Sequence, residues 1–211
     1  MPQWKAPHKS KLNDECESGI TEIQIANKDQ SQSNVTANRL YFYGDITDDS
    51  VIGWNRQLDD VSKNLKVLQT MYDLSAPPPI HIYIQSNGGE IFAALSTLGR
   101  LIELRNKGFD IHTIVDGFCA SGATLISVGG SKRFIRPYAC MLIHQLSSEF
   151  WGTYEEFKDE KQNVDLIMTI IKKVYKDHTT LDPKELDEIL THDLYLSPQE
   201  CLDKGLVDEV M

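Results

Sequence analysis

Ser121 is the residue with the clearest chemical potential in this chain. It sits in Gly117-Phe-Cys-Ala-Ser-Gly-Ala123, a run of small residues between an apolar strand-like stretch and a helical one. Small neighbours let a substrate carbonyl approach the hydroxyl, and a helix start offers N–H groups without intrahelical partners to a developing oxyanion. The same segment also reads as a plain N-cap in a tight turn. His144 ends the apolar run Met141-Leu-Ile-His-Gln145, where the alternative is a hydrogen-bonded structural histidine. Asp193, in Thr191-His-Asp-Leu-Tyr-Leu196, has the chemistry to orient such a histidine, but Asp177, Asp182 and Asp187 compete and nothing local separates them. Gly88-Gly89 is either a turn or a place where a backbone N–H meets a substrate closely, which glycine permits. A nucleophile needs a base, and the base an orienting carboxylate.

These groups need a frame, and the apolar periodicity supplies one from Leu40 onwards. Residues 39–43 (RLYFY) and 80–84 (IHIYI) alternate as strands, with Ile80, Ile82 and Ile84 on one face. Between them a helix over 48–72 places Val51, Leu58, Val61, Leu65 and Leu68 on one side, and Pro77-Pro78-Pro79 forbids its continuation. A turn at 86–89 leads to a helix over 90–105, with Ile91, Leu95, Leu98 and Ile102 expected inward. Strands follow at 111–115, 132–135 and 139–144, with a small-residue turn at 117–123 and a short buried helix at 124–128. A long amphipathic helix covers 153–177 and a shorter one 183–190. The last helix has a readable start and stop, with Ser197 as N-cap, Pro198 next, Glu200 completing a capping box and Gly205 past the end. Alternation of this kind is an α/β signature.

Composition narrows the possible partners. The chain has 211 residues and a formal net charge of −10, which disfavours nucleic acid as a partner. Four cysteines lie far apart, so neither zinc nor disulfides are expected, and a reducing cytoplasm is the simplest compartment. The charge-free stretch 117–131 is too short to span a bilayer, and the first residues lack the apolar core of a secretory signal. No metal, cofactor or membrane is expected. Residues 1–38 read as a polar arm, flexible or processed, ahead of one domain over 39–211.

The order Ser…His…Asp differs from those of chymotrypsin, subtilisin and the α/β-hydrolases. It is similar to that of the Clp protease proteolytic subunits. Ser86-Asn-Gly-Gly89, Ala120-Ser-Gly-Ala123, Leu142-Ile-His-Gln145, Asp193-Leu-Tyr-Leu-Ser197 and Gly205-Leu-Val-Asp208 resemble that family's successive motifs, in order and at near-family spacing. The resemblance implies a ClpP/crotonase-like spiral of ββα units, with the helix from Thr153 as a protruding handle. It implies Ser121 as nucleophile, His144 as general base, Asp193 as its orienting acid, and the N–H groups of Gly88 and Gly122 as the oxyanion hole. It further implies heptameric rings stacked into a tetradecamer, unfolded polypeptide substrates, and a separate AAA+ unfoldase, since no phosphate-binding G-x-x-x-x-G-K-[ST] loop is present.

Several positions depart from the family pattern. Gly122 stands where the family often has Met, Cys119 where it often has Ala, and Leu146 where it usually has Pro. His192 replaces the usual Arg at a contact between rings, which suggests pH-sensitive assembly. His81 replaces an aromatic residue of the unfoldase-docking face, with Tyr83 retained. The alternatives are a non-catalytic ring subunit, which would typically have lost triad residues, and a crotonase-type acyl-CoA enzyme, which would leave the Ser…His…Asp set unexplained.

Overall fold

The computed structural model describes residues 38–211, so the expected N-terminal arm lies outside the described residues apart from Asn38. In chain order the elements are β1 (Arg39–Tyr43), α1 (Asp48–Met71), β2 (Ile80–Ser86), α2 (Ile91–Asn106), β3 (Ile111–Ala120) and α3 (Gly122–Ser127). There follow β4 (Lys132–Ile135), β5 (Cys140–Leu142), α4 (Tyr154–His178), α5 (Pro183–Leu190), β6 (Tyr195–Leu196), α6 (Pro198–Asp203) and β7 (Glu209–Val210). Alternation fixes which face of each strand goes inward: Leu40 and Phe42 of β1 and Ile80, Ile82 and Ile84 of β2 are buried, while Tyr41 and Tyr43 stay exposed. Capping boxes open α1, α4 and α6: Thr47 with Ser50, Thr153 with Glu156, and Ser197 with Glu200 as the sequence indicates.

Strands β1-β2-β3-β4-β7 form a parallel sheet in that order. β3 is long enough to serve two neighbours. Its first half pairs with β4, and Phe118–Ala120 pair with β5, which β6 joins antiparallel. The segment from Gly117 to Ala120, expected as a turn, therefore continues the strand and carries its end to the edge of Ser121. A second expectation holds only at Leu98. The buried face of α2 is Ala93, Ala94, Thr97, Leu98, Leu101 and Leu104, whereas Ile91, Leu95 and Ile102 are only half-buried. Small residues turn inward because α3 packs close: a Cβ on Gly122 would lie 3.2 Å from the Ala94 Cβ. α4 buries only Ile171 and Tyr175 fully, and much of its length is exposed. Among the described residues no helix is long and apolar enough to cross a membrane.

Candidate active site

Sheet register brings the three sequence-predicted side chains together. β3 pairs Ala120 with Leu142 of β5, and the Ser121 N–H donates to the Leu142 carbonyl at 2.9 Å. β5 pairs Leu142 with Tyr195 of β6, so the antiparallel register carried two residues further sets His144 opposite Asp193. The His144 Nδ1 and Asp193 Oδ1 atoms lie 3.5 Å apart. Ser121 and His144 both line one cleft, beside Gly89, Gly122, Gln145 and Ser147. Ile91, Leu125, Leu146, Ile171 and Tyr175 supply its apolar wall. The cleft lies beyond the C-terminal ends of β2 and β3, where parallel sheets commonly place ligands.

Ser121 is held in a conformation that few non-glycine residues adopt. Its φ is 53° and its ψ −128°, a sparsely populated region that costs on the order of 1–3 kcal/mol. It occupies the N-cap position of α3, yet its side chain makes no capping hydrogen bond. Ser121 thus takes the N-cap position without using its hydroxyl as a cap. Neighbouring thiols offer no competing nucleophile. Burial pushes the Cys119 thiol strongly up and Cys201 up to about 12, so neither ionises near neutral pH.

Gly88, one of the two expected oxyanion donors, has its N–H engaged within its own turn. Gly88 is buried, and its N–H already donates to the Ser86 hydroxyl at 3.0 Å. Its carbonyl accepts the Ile46 N–H at 2.8 Å, and the Ile46 carbonyl accepts the Glu90 N–H at 2.9 Å. In the trans peptide between Gly88 and Gly89 the N–H opposes the C=O, so the Gly89 N–H points away from Ile46. Gly89 is exposed and lines the cleft. What Gly88 contributes is room: at φ +91° its missing Cβ would lie 2.6 Å from the Ser121 Cβ and 2.9 Å from the Gly122 nitrogen. Gly122 lines the cleft as expected, at the start of α3.

The remaining expected sites lie elsewhere. His81 and Tyr83 are half-buried on the outer face of β2. Tyr83 stacks on Tyr41 with ring centroids 5.0 Å apart, and the Arg136 guanidinium sits 6.0 Å from the Tyr83 centroid. His81 meets His112 edge-to-face at 4.9 Å, and partial burial, then the charge of His112 and Arg39, lowers its pKa below the usual histidine value. His192 is exposed just after α5. Leu146 carries an N–H that the family's usual proline lacks, and donates it to the Met168 sulfur of α4 at 3.3 Å. Sequence reasoning named Gly88-Gly89 without separating the two N–H groups, and it missed the buried Thr124–Tyr175 contact beneath the cleft. Orientation of one peptide decides the first, and the second joins residues 51 apart in the chain, so neither leaves a local signal.

A parallel sheet whose β2 and β3 both end at one cleft, with a kinked serine leading into a short helix, is consistent with a ClpP-like α/β fold. The Clp protease family matches this chain over residues 32–211, and the chain belongs to that family. It is similar to the ATP-dependent Clp protease proteolytic subunit 3 of Streptomyces coelicolor, at 30% identity over 171 residues, covering 79% of this chain and 77% of the relative. The chain is accordingly a ClpP-like protease subunit.

Proposed function

We propose that this subunit is a serine endopeptidase acting on unfolded polypeptides through an acyl-enzyme. Ser121 attacks the scissile carbonyl. His144 takes the Ser121 proton and later gives it to the leaving amine, while Asp193 holds the imidazole in the working tautomer. The oxyanion is met by the N–H groups of Gly122 and Gly89, the latter in place of Gly88. The observation that carries this reading is the strained, uncapped Ser121 sharing a cleft with His144, which in turn stands 3.5 Å from Asp193. The apolar wall suits an apolar side chain on the acyl side of the cleaved bond.

Assembly belongs to the same proposal. Trp151, Tyr154, Phe157 and Leu166 are exposed on α4 and the segment before it, an apolar surface that association would cover. Heptameric rings stacked in pairs, an AAA+ unfoldase docking over His81 and Tyr83, and a cytoplasmic setting complete the reading, with His192 at the contact between rings. The relative's name, an ATP-dependent Clp protease proteolytic subunit, supports only the ATP-consuming partner in this arrangement.

Short fluorogenic peptides enter a closed chamber without an unfoldase, so their hydrolysis by size-fractionated protein tests the proposal. Turnover in a large oligomer, lost in Ser121→Ala, is expected. Silence from a well-formed ring would favour the non-catalytic subunit, a reading that the exposed Asp193, 78% accessible, also allows.

A further inference from the structure

Thr124 is fully buried and connects Ser121 to α4. Its hydroxyl lies 2.5 Å from the Ser121 carbonyl and 2.5 Å from the Tyr175 hydroxyl. Donor counting fixes the direction of this chain. A carbonyl only accepts, so the one Thr124 hydroxyl proton goes to Ser121, and Tyr175 must donate to Thr124. Burial raises the Tyr175 pKa, which keeps the phenol protonated for that role. The Ser121 carbonyl also accepts the Thr124 N–H at 3.0 Å, so two donors hold it on the α3 side.

Holding that carbonyl has a consequence on the other edge of the same peptide. The bond between Ser121 and Gly122 is trans, so the Gly122 N–H points opposite to the Ser121 C=O, and Gly122 lines the cleft. Ser121 itself sits at φ 53°, ψ −128°, outside the well-populated regions, so its own backbone preference does not set this peptide. We infer that Thr124 and Tyr175 are positioning residues: the chain Tyr175 O–H to Thr124 O–H to Ser121 C=O aims the Gly122 N–H at the reacting carbonyl oxygen. Hydrogen bonds in such a buried series reinforce one another. The device rests on the serine-peptidase reading, and it places one anchor of the oxyanion donor on α4.

An N–H that strengthens its bond as charge develops acts on turnover more than on substrate binding. Removing a whole oxyanion donor lowers kcat by about 10²–10³-fold, and loosening one by Thr124→Val is expected to lower it by about 10–100-fold with KM within about twofold. Thr124→Ser keeps the hydroxyl and should remain within about threefold of the parent, and Tyr175→Phe should lower kcat by about 3–10-fold. In the double variant Thr124→Val/Tyr175→Phe, loss of the Tyr175 hydroxyl should add nothing, because its acceptor is gone.

The experiment is peptide hydrolysis by the full assembled chain for these four variants, with light scattering to establish equal assembly. A raised KM at unchanged kcat in Thr124→Val, equal impairment of Thr124→Ser, or multiplying effects in the double variant would overturn the inference. If Thr124→Val fails to assemble, Tyr175→Phe decides alone: unchanged kcat rejects the chain, and a kcat-only loss supports it. Absence of Ser121-dependent turnover in the parent protein would instead defeat the peptidase reading on which this role rests.

Discussion

The two sides of the cleft are built to different tolerances. On the nucleophile side, Ser121 is strained, its N–H is bonded to Leu142, its carbonyl is held by Thr124, and Gly88 packs against its Cβ position. On the base side, the His144 side chain is 26% exposed and Asp193 78%, and they stand 3.5 Å apart, beyond an ordinary hydrogen bond. The chain's own packing thus specifies where Ser121, the proposed nucleophile, sits, but leaves His144 and Asp193, the proposed base and acid, open to solvent. Geometry that one subunit leaves loose is geometry that an added surface can tighten, and His192 adjoins Asp193 on that exposed side. Catalytic hydrogen bonds are often long in a free protein and shorten in the working complex.

Removing the nucleophile makes the sharpest test of this asymmetry. Ser121→Ala is expected to reduce peptide turnover by at least about 10⁴-fold without altering the oligomer mass, as measured by hydrolysis and light scattering. Asp193→Asn should cost less, about 10²–10⁴-fold in kcat, because it disturbs the histidine rather than the attacking oxygen. An effect below about twofold would mean that the Asp193 carboxylate does not orient His144 at all.

Glycine at position 88 separates packing from chemistry on the tighter side. Gly88→Ala would force a Cβ to within 2.6 Å of the Ser121 Cβ and 2.7 Å of the Ala120 carbonyl at a φ of +91°. Destabilisation of about 2–4 kcal/mol is expected, read as a lowered chemical-denaturation midpoint. Parent-like stability would place the Ser121 turn elsewhere.

The smallest effect lies away from the cleft. Burial is the first cause lowering the pKa of His81 and of His178 below 6.5. The unfolded chain then binds more protons than the folded one just below pH 6.5, so stability should fall as pH drops through that window. Thermal unfolding at pH 7 and pH 5.5 should differ by a few degrees, and His81→Phe with His178→Gln should reduce the difference. Persistence of the full shift in the double variant would assign it to other groups.

Legibility in the sequence divides along similar lines. Ser121, His144 and Asp193 were recognisable because residue type and motif spacing mark them, and the strand register then explains their meeting: Leu142 is opposite Ala120 on one side and Tyr195 on the other. Which of Gly88 and Gly89 turns its N–H to the cleft was not, because the two look alike as letters and differ only in which carbonyl Ile46 holds. The inward face of α2 was read correctly at Leu98 but not at Ile91, Leu95 and Ile102, because Ala93, Ala94 and Thr97 also turn inward, Ala94 close against Gly122 of α3. Strands β6 and β7 have two residues each, too few for periodicity to appear.

Active-site labelling with a fluorophosphonate, followed by peptide mapping of the adduct, decides whether Ser121 is the nucleophile. One adduct per subunit is expected, on Ser121, formed far more slowly in His144→Ala and absent in Ser121→Ala. An assembled protein that stays unlabelled, or carries its adduct on another residue, would contradict that assignment.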